Sequence, residues 1–160
     1  MLQLIAKMTI RQKQLIIAAG LGTGLLLFLW AGRKAWDYWD IHTKLRLQTL
    51  DPDMQKKAQK LLDAALKRGI RLRITSAYRT CEEQDALYAQ GRTAPGKIVT
   101  YARCGQSKHN HRRAFDVVEL RDGKPLWENP NWELIGSLGE KAGLAWGGRW
   151  RRRDLPHFEG

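Results

Sequence analysis

Acidic residues are in short supply in this chain of 160 residues: 16 Asp and Glu stand against 28 Lys and Arg, for a formal net charge of +12. Such an imbalance favours anionic partners, whether nucleic acid, acidic lipid headgroups or the anionic polymers of a cell envelope. Nucleic acid is nevertheless not expected, because the sequence has neither zinc-finger spacing nor an aromatic RNA-binding signature. Cysteine is rarer still, with only Cys81 and Cys104. They lie in separate segments without a C-x-x-C pair, which argues against a structural zinc cluster. Outside the cytoplasm the same two residues would be expected to join as a disulfide. Long apolar runs are also scarce. The length allows one compact domain and an appendage.

The appendage contains the one long uncharged run, residues 15–32. At 1.5 Å per residue it nearly spans a bilayer core of about 30 Å. Lys7, Arg11 and Lys13 precede it, Arg33 and Lys34 follow, and Trp30, Trp36, Tyr38 and Trp39 occupy the place of an interfacial aromatic belt. These features predict a basic tail over residues 1–13, one transmembrane signal anchor over 14–32 and a stalk over 33–50. Trp30-Ala31-Gly32-Arg33 makes a poor cleavage site, so the anchor is expected to remain uncleaved. Three cations before the span and four after it (Arg33, Lys34, Lys44 and Arg46) leave orientation unsettled by charge.

The remaining residues, 51–160, read as an α+β domain: a small antiparallel sheet with flanking helices. Asp51-Pro52 places an N-cap and a first-turn proline before a helix carrying Met54, Ala58, Leu61, Leu62 and Ala65, ended at Gly69. Residues 70–74 alternate apolar and basic, as a half-buried strand does. Thr80 can cap a helix over about residues 81–90, stopped by Gly91. Residues 115–120 read as a strand that ends at the Asp122-Gly123 turn. Asn131 starts a third helix with Trp132, Ile135, Leu138 and Ala142, weakened by Gly136 and Gly139. Residues 145–150 and 157–159 are candidate closing strands.

Two short stretches carry the chemistry. Residues 107–116 read S-K-H-N-H-R-R-A-F-D and supply His109 and Asp116, and residues 154–157 read D-L-P-H and supply Asp154 and His157. Two imidazoles and a carboxylate suit a catalytic Zn²⁺, which takes three protein ligands and leaves a position for water. The metal lowers the pKa of that water toward 7 and polarises a scissile carbonyl. Asp154 is then available to take the proton and pass it to a leaving amine. His111 is an alternative to His109, but its spacing to Asp116 makes it the second choice. Each residue alone has an ordinary explanation as a surface or core side chain, and only the combination points to a metal.

With these stretches in place, the sequence resembles the zinc D-alanyl-D-alanine carboxypeptidase and L-alanyl-D-glutamate endopeptidase family, in particular the cell-wall-cleaving enzymes of phage lysis systems. The resemblance runs over about residues 50–159 and rests on S-A-Y-R-T-C-E-E-Q-D-A-L-Y-A-Q-G-R-T-A-P-G-K-I-V-T at 76–100, on the S-x-H-x-x-x-x-A-x-D pattern of Ser107, His109, Ala114 and Asp116, and on W-G-G-R-W followed by D-L-P-H-F-E. It implies that His109, Asp116 and His157 are zinc ligands and that Asp154 is the catalytic base. It also implies that Arg79 holds a substrate carboxylate or the developing oxyanion, a task suited to a guanidinium with its fixed fork of donors. Gln84 and Ser107 are implied as weaker candidates for substrate or supporting contacts. The pair Cys81 and Cys104 would flank this site.

Two positions depart from the family pattern: Arg112 stands where glycine is usual, and Arg149 where an acid is usual, which is expected to make the site rim more basic. The residue 90–100 loop is similar to the endopeptidase branch. The implied partner is therefore the peptidoglycan stem peptide, cleaved at its L-Ala–D-Glu bond by a monomer. The membrane would be engaged through residues 14–32, with the catalytic domain on the periplasmic or extracellular side, where that substrate lies. The anchor's Gly and Ala content is similar to that of releasable signal anchors in phage lysis enzymes. The competing readings are a D-Ala-D-Ala carboxypeptidase and a catalytically silent cell-wall-binding module.

Overall fold

The computed structural model describes residues 41–160. The expected transmembrane anchor over 14–32, the basic tail before it and the first part of the stalk lie outside the described residues. Among the described residues no helix is long and apolar enough to cross a membrane.

The compact unit begins at Ile41, earlier than the boundary at residue 51 expected from sequence. Residues 41–48 are helical and belong to the domain rather than to a free stalk. Thr43 and Leu50 are buried, and Leu47 packs against the core. The Thr43 hydroxyl accepts the Ile74 backbone N–H at 3.3 Å, and the Arg46 guanidinium donates to the Ile74 carbonyl at 3.0 Å. A segment read as linker thus satisfies both backbone groups at the edge of the first strand.

Helix α1 (Pro52–Leu66) starts as its sequence requires, with the Asp51 carboxylate accepting the Met54 N–H at 2.8 Å. Its Met54, Ala58, Leu61 and Ala65 form one buried face, the spacing of an amphipathic helix on a core. Strand β1 (Leu72–Ser76) follows. Helix α2 (Cys81–Ala89) is opened by a capping box, in which Thr80 accepts the Glu83 N–H and Glu83 accepts the Thr80 N–H. Strand β2 (Ala114–Arg121) and the short β3 (Lys124–Leu126) form a hairpin. Its turn places Asp122 and Gly123 at φ 51° and 75°, a left-handed pair that suits a tight hairpin. Helix α3 (Trp132–Lys141), β4 (Ala145–Trp146) and β5 (His157–Glu159) complete the unit.

The sheet runs β1-β2-β5-β4 with β3 on β2, and its pairings are antiparallel. The expected α+β class with a small antiparallel sheet and flanking helices is what forms. The strand expected over 145–150 is shorter, because Gly147–Arg149 turns into a 3-10 helix.

Asn131 does not cap α3 with its side chain. Its amide instead donates to the buried Glu119 carboxylate at 2.8 Å, while Asn129 Oδ1 accepts the Asn131 N–H at 2.8 Å. Arg121 also donates to Glu119, at 3.1 Å. Burial acts to raise the Glu119 pKa, but these donors outweigh it and hold the group below the usual glutamate range. The folded-state pKa is therefore depressed, so the stabilisation is present above the unfolded value of about 4.3 and is lost as pH falls through the folded one. Replacing Glu119 by Gln should remove part of the acid sensitivity. In thermal melts between pH 6 and pH 3, wild type should lose more stability than Glu119→Gln.

Gly136 and Gly139 do not weaken α3 without return. A Cβ at Gly136 would run into the Trp146 ring, and one at Gly139 into the Phe158 ring. Both rings are fully buried, so the glycines let α3 lie directly on β4 and β5. Gly139→Ala should destabilise the domain by about 1–3 kcal/mol through overpacking, read as a lower Tm.

Candidate metal and active site

The site lies where β2 meets β5. Asp116 and His157 are direct antiparallel partners in the ladder, and side chains opposite each other on one face approach within about 5 Å. Asp116 Oδ1 lies 3.1 Å from His157 Nδ1. His109 reaches the same carboxylate from the 3-10 turn Lys108–His111 just before β2. Its Nε2 lies 3.5 Å from Asp116 Oδ1. The turn is capped by Ser107, whose hydroxyl accepts the His109 N–H at 3.3 Å. It is closed by Arg112 in the left-handed conformation, φ 61° and ψ 23°. Arginine therefore adopts there the geometry that glycine takes more readily, and its guanidinium lies over the Tyr78 ring at 4.9 Å.

The donor set fits zinc. One ligand atom from each of His109, Asp116 and His157 lies within 4.8 Å of the other two. A tetrahedral site with bonds near 2.0 Å has ligand-to-ligand edges of about 3.3 Å, close to the spacings of both imidazoles from Asp116. The second nitrogen of each ring is also occupied appropriately. His109 Nδ1 donates to the Ala77 carbonyl at 2.7 Å, leaving the Nε2 lone pair facing inward. His157 Nε2 lies 3.2 Å from Glu159 Oε2, so a proton held there leaves Nδ1 free. Such outer partners fix the tautomer and ring orientation of metal-ligating histidines.

Burial acts to raise the Asp116 pKa, but hydrogen bonds and charge from His109 and His157 hold it well below the usual carboxylate range. Burial likewise opposes a charged His157, yet Asp116, Glu159 and Asp154 push its pKa upward. The same negative surroundings attract a cation, with which a proton on these nitrogens competes.

Asp154 joins the group through a tight connection. Its N–H donates to the Gly147 carbonyl at 3.0 Å, and its own carbonyl accepts the His157 N–H at 3.3 Å. A Cβ at Gly147 would collide with the Asp154 carbonyl and lie 3.1 Å from the His157 Cβ. Desolvation, then the charge of Asp116, raise the Asp154 pKa above the ordinary aspartate value.

Arg79 is held in the same neighbourhood. It donates to Gln84 Oε1 at 2.8 Å and to the Ser76 hydroxyl at 3.1 Å, and lies 3.9 Å from Asp116 Oδ2. Gln84 is fully buried, so it supports Arg79 instead of facing a cleft; its own amide donates to the Ala102 carbonyl at 2.7 Å. Ser107 likewise serves the turn. Cys81 and Cys104 are joined as a disulfide, with Cα atoms 4.6 Å apart. It ties the start of α2 to the segment that Gln84 grips.

His111 is exposed, its Nε2 bonded to the Gly105 carbonyl at 2.9 Å, which agrees with the preference for His109. Arg149 does not make the rim more basic as expected. It pairs with Glu140 at 3.0 Å and Glu133 at 2.9 Å on α3, which neutralises it there.

Sequence reasoning missed Glu159 and the Ala77 carbonyl. The His157-x-Glu159 spacing on a strand puts both side chains on one face and could have pointed to the first. A backbone carbonyl leaves no such signal.

Residues 47–137 match the family described as VanY, D-alanyl-D-alanine carboxypeptidase. The chain belongs to this family. It is 40% identical over 121 residues to the peptidoglycan L-alanyl-D-glutamate endopeptidase CwlK of Bacillus subtilis (strain 168), covering 69% of this chain and 72% of that protein. Among solved structures, its fold is similar to the L-Ala D-Glu endopeptidase ChiX of Serratia marcescens, with TM-score 0.58, 21% identity and coverage of 74% and 85%. It is also similar to a vancomycin-resistance D,D-pentapeptidase VanY solved in complex with Zn(II), with TM-score 0.54, 19% identity and coverage of 69% and 71%. The chain is thus a zinc peptidase of the VanY family, and His109, Asp116 and His157 form its zinc-binding group.

Removing the Glu159 carboxylate should loosen the metal without removing a ligand. Glu159→Gln is expected to weaken zinc binding by about 10- to 100-fold, measured by competition with a chromophoric chelator.

Proposed function

We propose that this protein is an endopeptidase that hydrolyses the L-Ala–D-Glu bond of peptidoglycan stem peptides. The observation that carries the reading is the convergence of His109, Asp116 and His157 with Asp154 electrostatically coupled to them. The relationship to CwlK at 40% identity favours the L-Ala–D-Glu bond. When bound, zinc supplies a Lewis acid that polarises the scissile carbonyl and acidifies a water.

The protein's own groups do the rest. Asp154, raised by desolvation and by Asp116, is suited to accept a proton on its carboxylate and return it to the leaving amine, since such a base works best when its pKa is brought toward the working pH. Arg79, anchored by Gln84 and Ser76, keeps a fixed charge beside the reacting carbonyl, where negative charge develops. Glu159 and the Ala77 carbonyl orient the two imidazoles. Residues 14–32 would hold this unit at a membrane, with the domain on the outer side where its substrate lies.

A second reading, removal of a terminal D-alanine, is favoured by the family match over residues 47–137. Digestion of purified peptidoglycan by the full chain separates the two. New L-alanine carboxyl and D-glutamate amino termini, identified by mass spectrometry, are the expected products; loss of terminal D-alanine alone would favour the second reading. Asp154→Ala should lower kcat by about 10²–10⁴-fold while leaving bound zinc in place. Unchanged turnover in that variant would remove Asp154 from the chemistry.

A further inference from the structure

The arginine run beside the site divides in two. Arg149 is matched by Glu140 and Glu133. Arg153 is matched by Glu133 at 2.6 Å and also donates to the Gly148 carbonyl. Arg152 has no ion-pair partner among the described residues. Its guanidinium instead lies over the Tyr101 ring, 4.2 Å from the centroid.

Tyr101 is not a free loop residue. Arg92 donates to the neighbouring Thr100 carbonyl at 3.1 Å and lies between two rings, 3.9 Å from the Tyr88 centroid and 5.4 Å from that of Tyr101. The Thr100 hydroxyl and the Ala102 carbonyl, on either side of Tyr101, are both gripped by buried Gln84. The same Gln84 holds Arg79. The platform under Arg152 and the orientation of Arg79 therefore share one anchor, and Arg152 stands two residues before Asp154.

We propose that Arg152 is a specificity-determining residue that receives the substrate carboxylate borne on the carbon next to the scissile nitrogen. This deepens the endopeptidase reading above and rests on it. In an L-Ala–D-Glu peptide the glutamate α-carboxylate is the group on that carbon, two bonds from the nitrogen that leaves. It has to be accommodated near the negative charges of Asp154 and Asp116, so a cation without another partner is needed close by. Arg79 is already committed to Gln84 and Ser76. The Arg152 guanidinium lies over an aromatic ring and has no ion pair or hydrogen bond among the described residues, which leaves its donors for a bidentate carboxylate, and the ring contact restrains it.

The test uses the full zinc-loaded chain and two synthetic peptides containing L-Ala–γ-D-Glu, one with the free α-carboxylate and one with that group as its amide. Wild type should show the lower KM for the free acid. Arg152→Ala should raise that KM by about five- to tenfold, leave kcat within about twofold, and leave KM for the amide unchanged. Arg152→Lys should restore part of the difference. Tyr101→Phe, which keeps the ring, should behave as wild type, whereas Tyr101→Ala should follow Arg152→Ala. An equal rise in KM for both peptides, or no rise for either, overturns the proposal.

If wild type cleaves neither peptide, the endopeptidase reading fails, and calorimetry on zinc-loaded Asp154→Ala still decides the role of Arg152. Preference for the free acid that disappears when Arg152→Ala is added supports the assignment. Equal affinities with and without Arg152 refute it.

Discussion

The antiparallel pairing of β2 with β5 is the constraint on which the rest depends. It sets Asp116 opposite His157, and a slip of one residue in either strand would turn that strand's ligand to the other face of the sheet, away from its partner. Register is protected by the core beneath. Phe115 pairs with Phe158 in the same ladder, and the two buried rings stack at 5.7 Å. Phe158 in turn lies on Gly139 of α3. The apolar residue on one face and the metal ligand on the other are thus neighbours in sequence, and packing the first orients the second.

Much of this was legible beforehand because it is local. The Asp51-Pro52 start, the Thr80 cap and the Asp122-Gly123 turn each express a short-range preference that the tertiary structure leaves in place. The metal group was legible for a different reason: His109, Asp116, Asp154 and His157 sit in motifs whose chemistry is specific in combination. What stayed hidden depends on contacts distant in sequence. Residues 41–48 read as linker because their partner, the edge of β1 at Ile74, comes about 30 positions later. Gly136 and Gly139 read as helix weaknesses until the rings of Trp146 and Phe158 explain them. Gln84 read as either a substrate or a supporting contact, and its complete burial and its bond to Arg79 favour the second.

The charge distribution sharpens the same lesson. A net charge of +12 says little about where cations act, because part of that charge is already spent internally. Arg149 and Arg153 fasten the loop after β4 to α3 through Glu133 and Glu140. Arg79 is fixed beside the negative metal group. Exposed pairs of this kind contribute little stability individually, but they orient the segment that carries Asp154. The disulfide between Cys81 and Cys104 joins α2 to the stretch that Gln84 holds. Both devices restrain loops next to rigid strands, the arrangement by which a scaffold positions chemistry.

The central claim is that His109, Asp116 and His157 bind one zinc ion. X-ray absorption at the zinc edge of the purified full chain tests it most directly. The account predicts one tightly bound zinc per chain, with two imidazole nitrogens and carboxylate or water oxygens at about 2.0–2.2 Å and no sulfur, and loss of that signal in Asp116→Ala. Zinc held through sulfur, or an unaltered zinc environment after Asp116→Ala, would contradict it.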